Sequence, residues 1–145
     1  MSRSGIGRYR VHSDNYTLSV AKKTIIVVED DPLTARLVAD VLETLGHVVE
    51  CAATVDHAFR LAKTYQPAAM LVDVQLGTES GLDLMSRLAG DPKTTAIPVV
   101  AMTALDGPQD AVALERAGAV ALLEKPFSAA EVVALVAAVI DAGAK

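Results

Sequence analysis

Ala68-Ala69-Met70-Leu71-Val72-Asp73 is an apolar run closed by a single carboxylate. The sequence after it, with Gln75, Gly77, Thr78, Glu79, Ser80 and Gly81, is polar and glycine-containing and cannot continue the run. The run therefore reads as one short strand buried on both faces, the pattern of a parallel sheet. Asp73 then stands at the strand's carboxyl end. In open α/β sheets ligands bind outside that rim, so its place alone makes Asp73 a functional candidate.

Similar segments flank this strand. Upstream, Ile25-Ile26-Val27-Val28 is a fully apolar strand ending in Glu29-Asp30-Asp31-Pro32. Asp31 before Pro32 fits a helix N-cap followed by proline at the first helical position, opening a helix to about Leu45 that Gly46 ends. Val48-Val49-Glu50-Cys51 reads as a strand, and Val55 to Tyr65 as a helix with Val55, Ala58, Phe59 and Ala62 at helical spacing. Downstream, Gly81 to Leu88 is a third helix, followed by a turn at Gly90-Asp91-Pro92. Ile97 to Met102 is a fourth strand that ends at Thr103, and Pro108 to Ala117 is a helix stopped by Gly118. Val120 to Leu123 is a fifth strand ending in Glu124-Lys125-Pro126, and a last helix spans Ser128 to Ile140. Strands alternating with helices over short connections predict an α/β fold. Each crossover is right-handed and packs back on the sheet, so helices cover both faces.

At 145 residues the chain is about one domain, long enough to bury one core, and its 52% hydrophobic and 21% charged composition is that of a well-packed globular chain. No apolar run reaches the roughly 18 residues of a bilayer span. Residues 1–22 lack the apolar stretch of a signal peptide. Cys51, the single cysteine, has no internal partner, so a reducing cytoplasm is the expected compartment. A net charge of −5 argues against a chain built to coat nucleic acid, and the absence of Trp leaves little for base stacking. Residues 1–22 carry Arg3, Arg8, Arg10 and Lys22 against Asp14 and show no helical period, so they read as an extension outside the core. A loosely held tail is the simpler reading; a docking arm using Tyr9 and Tyr16 is the other.

The strand ends decide the chemistry. Glu29 and Asp30 follow the first strand, Asp73 the third, Thr103 the fourth and Lys125 the fifth, all on one rim of the sheet. Carboxylates gathered within several Å repel by about 1 kcal/mol per pair in water-like surroundings and about 4 kcal/mol at an effective dielectric of 20. Such a cluster calls for a cation. Hard carboxylate oxygens suit Mg²⁺, with Mn²⁺ as a substitute. A carboxylate nucleophile, a hydroxyl donor, a lysine and Mg²⁺ together suit phosphoryl transfer, in which Asp73 attacks phosphorus and becomes an acyl phosphate. Thr103 would donate to a phosphoryl oxygen and Lys125 would neutralise its charge.

IIVVEDDP, MLVD, VVAMTA and LLEKPF are each short, but in this order and at these strand ends they are specific. Over about residues 23–143 the chain resembles the receiver domain of two-component response regulators, in its single-domain, chemotaxis-regulator-like form. The resemblance implies a flavodoxin-like, doubly wound, five-stranded parallel sheet, (βα)5, of strand order 2-1-3-4-5. It implies a phosphoacceptor at Asp73, Mg²⁺ carboxylates at Asp30 and Asp73 with Glu29 as the outer acid, and a metal-binding backbone carbonyl at Gln75. It places the family's hydroxyl and lysine on Thr103 and Lys125, and a cis peptide before Pro126. Gln75 and Leu105 fall where the family tunes attack of water on the acyl phosphate. The implied partners are a sensor histidine kinase or histidine phosphotransfer protein as donor and a downstream protein effector, with neither nucleic acid nor membrane contacted directly.

Two departures stand out. Gly77 occupies a place where many relatives have proline, which predicts a more mobile loop. Leu122 replaces an aromatic residue that in many relatives turns inward when the threonine moves. The signal is then expected to travel through the loop after Thr103 and the fourth helix, or the switch to be small.

Other residues read more plainly. His12, His47 and His57 have no metal-ligand spacing and are expected at the surface, and Cys51 is expected as a small packing residue. In the last helix Val132, Val136 and Val139 supply the stripe facing the sheet, which leaves Leu135 and the row Val133, Ala137 and Ile140 on other faces. With Ala111, Val112, Ala113 and Leu114 of the preceding helix they suggest an apolar contact surface for a homodimer or an effector, against ordinary alanine-rich surface. The expected function is a phosphoacceptor signalling domain and not an enzyme acting on other substrates, with protein contacts as its output because no DNA-binding or catalytic module follows Ile140. The rivals are a phosphatase with an aspartyl-phosphate intermediate, disfavoured because Gln75 stands where a second acid is needed, and an interaction module with a vestigial site. A receiver fragment of a hybrid kinase or longer regulator also fits the sequence.

Overall fold

The computed structural model describes residues 22–104 and 108–143; the expected extension at residues 1–22, apart from Lys22, and His12 and Leu105 lie outside the described residues. The elements are β1 (Thr24–Val28), α1 (Pro32–Glu43), β2 (Val48–Ala52), α2 (Val55–Tyr65), β3 (Ala69–Asp73), β4 (Gln75–Leu76), β5 (Glu79–Ser80), α3 (Gly81–Ala89), β6 (Val99–Thr103), α4 (Pro108–Arg116), β7 (Ala119–Glu124) and α5 (Ala129–Gly143). The main sheet is parallel and runs β2-β1-β3-β6-β7, which for its five strands in chain order is the expected 2-1-3-4-5. Among the described residues no helix is long and apolar enough to cross a membrane.

Strand alternation divides the core in two. Side chains of successive strand residues point to opposite faces. Ile26, Val28, Met70, Val72, Val99 and Ala101 pack with α2, α3 and α4 residues such as Ala58, Leu84 and Leu114. Ile25, Val27, Leu71, Val100 and Met102 pack with Val38 and Leu42 of α1 and Val132, Val136 and Ile140 of α5. Because β1, β3 and β6 are covered on both sides, they are apolar throughout, and only their ends are free to carry polar groups.

Local sequence sets the helix starts. Asp31 is the N-cap of α1, its Oδ2 accepting from Thr34 N–H at 3.2 Å and Thr34 Oγ1 at 2.6 Å, with Pro32 in the first turn. These bonds with Thr34 hold its carboxyl below the usual range. Thr54 caps α2 and Ser80 caps α3 in the same way. Asp31 therefore has a capping task that Glu29 and Asp30 do not share.

Three expectations need correction. His47 is not at the surface: it is 4% exposed, and its Nδ1 accepts the Lys23 N–H at 3.1 Å. Cys51 is exposed, because β2 is an edge strand whose only sheet neighbour is β1. In α5, Ala137 and Ile140 are buried with Val132, Val136 and Val139, so the helix covers the sheet with a wider stripe and offers less spare apolar surface than its composition suggests.

His47 has a consequence for pH. Burial holds its imidazole below the ordinary value, and accepting the Lys23 N–H needs Nδ1 unprotonated. The unfolded chain, with a His pKa of about 6.5, therefore takes the proton first. Stability is intact above that value and is lost as pH falls below it, by up to about 1.4 kcal/mol per pH unit. Urea unfolding at pH 7.5 and 5.5 should show a larger loss for the wild type than for His47→Gln, which keeps an acceptor but does not titrate. Parallel losses would remove His47 as the cause.

Candidate functional site

β1, β3, β6 and β7 end side by side, and their carboxyl ends form the floor of a cleft of about 640 Å³. Glu29, Asp30, Asp73, Gln75, Thr103 and Lys125 all line it. The residues expected from the strand ends are thus brought together. Asp73, the last residue of β3, is 4% exposed, and both of its oxygens are engaged: Oδ1 accepts Gln75 N–H at 3.0 Å and Oδ2 accepts Lys125 Nζ at 2.7 Å. Thr103, also buried, ends β6, and its carbonyl accepts the Lys125 N–H at 2.8 Å. This backbone bond sets the height of Lys125 beside β6. The peptide between Lys125 and Pro126 is cis, as the resemblance implied.

Glu29 continues β1 inward and is 4% exposed; Asp30 turns outward and is exposed. One carboxylate oxygen from each of Glu29, Asp30 and Asp73 can be chosen so that all three lie within 4.8 Å of one another. Glu29 Oε2 accepts the Asp31 N–H at 3.1 Å, while the buried Oε1 accepts no hydrogen bond among the described residues and has Lys125 Nζ 3.7 Å away. Burial, with Asp73 adding to it, pushes the Glu29 carboxyl up to about 7 against the opposing pull of the Asp31 N–H and Lys125. Burial acts to lower the Lys125 pKa, but its bond to Asp73 and the charges of Asp73 and Glu29 outweigh it and leave the ammonium held more firmly.

Three carboxylates facing one ammonium leave negative charge in excess. The oxygen donor set, the spacing and the orphaned Glu29 Oε1 all fit a small hard cation.

The loop after Asp73 has secondary structure of its own that the sequence reading did not include. Gln75 pairs with Ser80 and Leu76 with Glu79, so β4 and β5 make a short antiparallel hairpin around Gly77 and Thr78. Gly77 has φ +63°, the first central position of a II′-type turn, which proline's fixed negative φ cannot supply. The hairpin was missed because each strand is only two residues long, too short for any alternation. Leu122 lies beside Ala101 in the β6–β7 register and is partly buried against the α2, α3 and α4 side of the core.

Comparison with known proteins agrees with this geometry. Residues 25–137 match the response regulator receiver domain family. The polar-differentiation response regulator DivK of Brucella ovis is 32% identical over 106 residues, which cover 73% of this chain and 86% of that protein. A Chloroflexus aurantiacus structure assigned as a response regulator superposes with TM-score 0.78 at 30% identity, covering 83% of this chain and 99% of its own. The receiver domain of sensor histidine kinase PA1611 from Pseudomonas aeruginosa, solved with a magnesium ion coordinated in its active site cleft, superposes with TM-score 0.76 at 27% identity, covering 83% and 99%. With a matching sheet order, a filled set of strand-end positions and these relatives, the chain belongs to the response regulator receiver domain family.

Proposed function

We propose that residues 23–143 form a phosphoacceptor switch acting in the cytoplasm. It accepts a phosphoryl group on Asp73 from a phosphohistidine of a sensor histidine kinase or phosphotransfer protein. The observation that carries this reading is the meeting of Glu29, Asp30 and Asp73 within 4.8 Å, with Lys125 Nζ 2.7 Å from Asp73 Oδ2. An Asp73 oxygen attacks phosphorus in line, the new O–P bond forms, and the bond from phosphorus to the donor nitrogen breaks, the electron pair leaving with the imidazole. Lys125, already beside that carboxylate, stays against the phosphoryl oxygens and neutralises their charge. Thr103, which lines the cleft, donates its hydroxyl to one of them in this reading. Bound Mg²⁺ would be held by Asp30, Asp73, the Gln75 carbonyl and, outside them, Glu29, and would supply charge neutralisation and orientation for the phosphoryl group; Mn²⁺ would serve alike.

Output runs through protein contacts. On the face of α4, β7 and α5, α4 presents Val112, 47% exposed, and β7 presents Val120, 60% exposed, to a downstream effector or to a second copy of the chain. Leu122 supports a second reading, an interaction module that is little phosphorylated, because no aromatic ring stands there to report on Thr103. Intact mass after incubation with acetyl phosphate separates the two. A Mg²⁺-dependent gain of one phosphoryl group is expected. If no adduct forms and the phosphate mimic beryllofluoride does not bind in the presence of Mg²⁺, the switch reading fails.

A further inference from the structure

The hairpin of β4 and β5 is held at two places. On the site side, Gln75 N–H donates to Asp73 Oδ1 at 3.0 Å, and Gly81 N–H donates to the Val74 carbonyl at 2.7 Å. Gly77 lies against Asp30, whose Oδ2 would be 3.5 Å from a Cβ at that position. On the far side, Glu79 Oε1 accepts the Val55 N–H at 2.9 Å across 24 residues of sequence. Val55 is the first residue of α2. Its N–H is one of the four that every helix start leaves without an intrahelical partner. Thr54 Oγ1 serves the His57 N–H, and Glu79 serves the one at Val55. A carboxylate accepting at a helix N-terminus makes a charge-assisted bond reinforced by the helix dipole.

α2 contributes no described residue to the cleft lining, yet through Glu79 it is joined to the strand opposite Gln75 and Leu76. Two-residue strands do not hold their own register, since an isolated hairpin is marginal even at greater length. Leu76, 3% exposed, anchors β4 in the core; β5 has Glu79 as its tie to the body of the protein before Ser80 opens α3. We infer that Glu79 is a positioning residue for the cation site: by pinning β5 to the start of α2 it keeps Gln75 in register beside Asp73 and so sets the affinity for Mg²⁺. This rests on the proposed function, which places the Gln75 carbonyl among the cation's ligands.

The test compares the full chain with Glu79→Ala, Glu79→Gln, Val55→Pro and the double variant Glu79→Ala/Val55→Pro. Mg²⁺ affinity is measured by calorimetry and thermal midpoints in parallel. Val55→Pro removes the donor from the other side of the bond at a helical position that tolerates proline, and Thr54 already has the extended φ −132° and ψ 159° that a residue before proline adopts. Glu79→Ala is expected to weaken Mg²⁺ binding about tenfold, the lower end of the loss on removing a group that orients a metal ligand. Glu79→Gln keeps an acceptor oxygen without the charge and should bind close to wild type. Val55→Pro should weaken binding as Glu79→Ala does, and the double variant should bind no more weakly than either single one.

Wild-type Mg²⁺ affinity in Glu79→Ala would overturn the inference. So would an equal loss in Glu79→Gln, which would make charge and not the bond the cause, or additive losses in the double variant. Should Glu79→Ala fail to fold, Val55→Pro and Glu79→Gln carry the same comparison. If the wild type itself binds no Mg²⁺, the proposed function falls and this inference with it. If the wild type binds and the variants bind equally, only the role of Glu79 is lost.

Discussion

Asp73→Ala and Asp73→Asn are both expected to gain no phosphoryl mass from acetyl phosphate under conditions where the wild type gains one group. The other acids that line the cleft, Glu29 and Asp30, belong with Asp73 to the cluster proposed to hold the cation, and Asp31 beside them is occupied in capping a helix. The two variants should differ in stability. Asparagine keeps an acceptor for the Gln75 N–H that Asp73 Oδ1 now serves, whereas alanine leaves that N–H without it. Asparagine also removes one of two buried carboxylates that lie within 4.8 Å of each other. At an effective dielectric of 20, repulsion at such distances is up to about 4 kcal/mol while Glu29 is ionised, and it offsets part of what Asp73 gains from Lys125. The desolvation of a buried charge then decides the sign in favour of the neutral side chain. Without divalent cation, Asp73→Asn should therefore melt above the wild type and Asp73→Ala below Asp73→Asn. Added Mg²⁺ should reverse the first difference, because a ligand at about 100 times its Kd stabilises the binding form by about 2.7 kcal/mol. Differential scanning calorimetry with and without Mg²⁺ reads both effects. A phosphoryl adduct on either variant would move the acceptor elsewhere.

The features legible in the sequence were those set by local pattern. Ile25–Val28 and Ala69–Val72 announced themselves because a strand covered on both faces must be apolar throughout, and Asp31-Pro32 because a cap and a first-turn proline are adjacent by necessity. Glu29, Asp30, Asp73, Thr103 and Lys125 could be placed together because parallel strands all end on one rim. Tertiary partners left no such trace. His47 looked like a surface histidine until the Lys23 N–H closed on it, and nothing in the spacing of Glu79 points to Val55, 24 residues upstream. Cys51 was misjudged for the opposite reason: a cysteine at the end of a strand reads as a small packing residue, but the place of β2 at the sheet edge leaves it to solvent. The apolar richness of α5 was visible, yet how much of it the sheet would cover depended on the width of the packing stripe, which composition does not give.

Gly81→Ala should impair the protein in two ways at once, although helix propensity alone argues the reverse. Gly81 opens α3, and alanine is worth about 0.5–1 kcal/mol over glycine inside a helix. At this position, however, a Cβ would overlap the Asp73 carbonyl oxygen and come within 3.0 Å of Val74 Cα and 3.1 Å of the Asp73 carbonyl carbon. All three are backbone atoms of the strand end, and no side-chain rotation relieves them. The Gly81 N–H bond to the Val74 carbonyl, at 2.7 Å, holds the two segments together from the same side. Either α3 or the end of β3 must move, and forced shifts of this kind cost typically about 1–3 kcal/mol, which exceeds the propensity gain. Movement of the β3 end falls on Asp73 itself. A displacement of about 1 Å at a reacting group is enough to slow a positioned reaction about a hundredfold. Gly81→Ala is therefore expected to lower the thermal midpoint modestly and the rate of phosphoryl uptake by about two orders of magnitude. Stopped-flow measurement of uptake at saturating Mg²⁺, beside urea unfolding of the same samples, separates the two losses. A variant that unfolds more readily but accepts phosphate at the wild-type rate would show that α3 yields instead of Asp73, and that the close packing of Gly81 serves the fold without holding the acceptor.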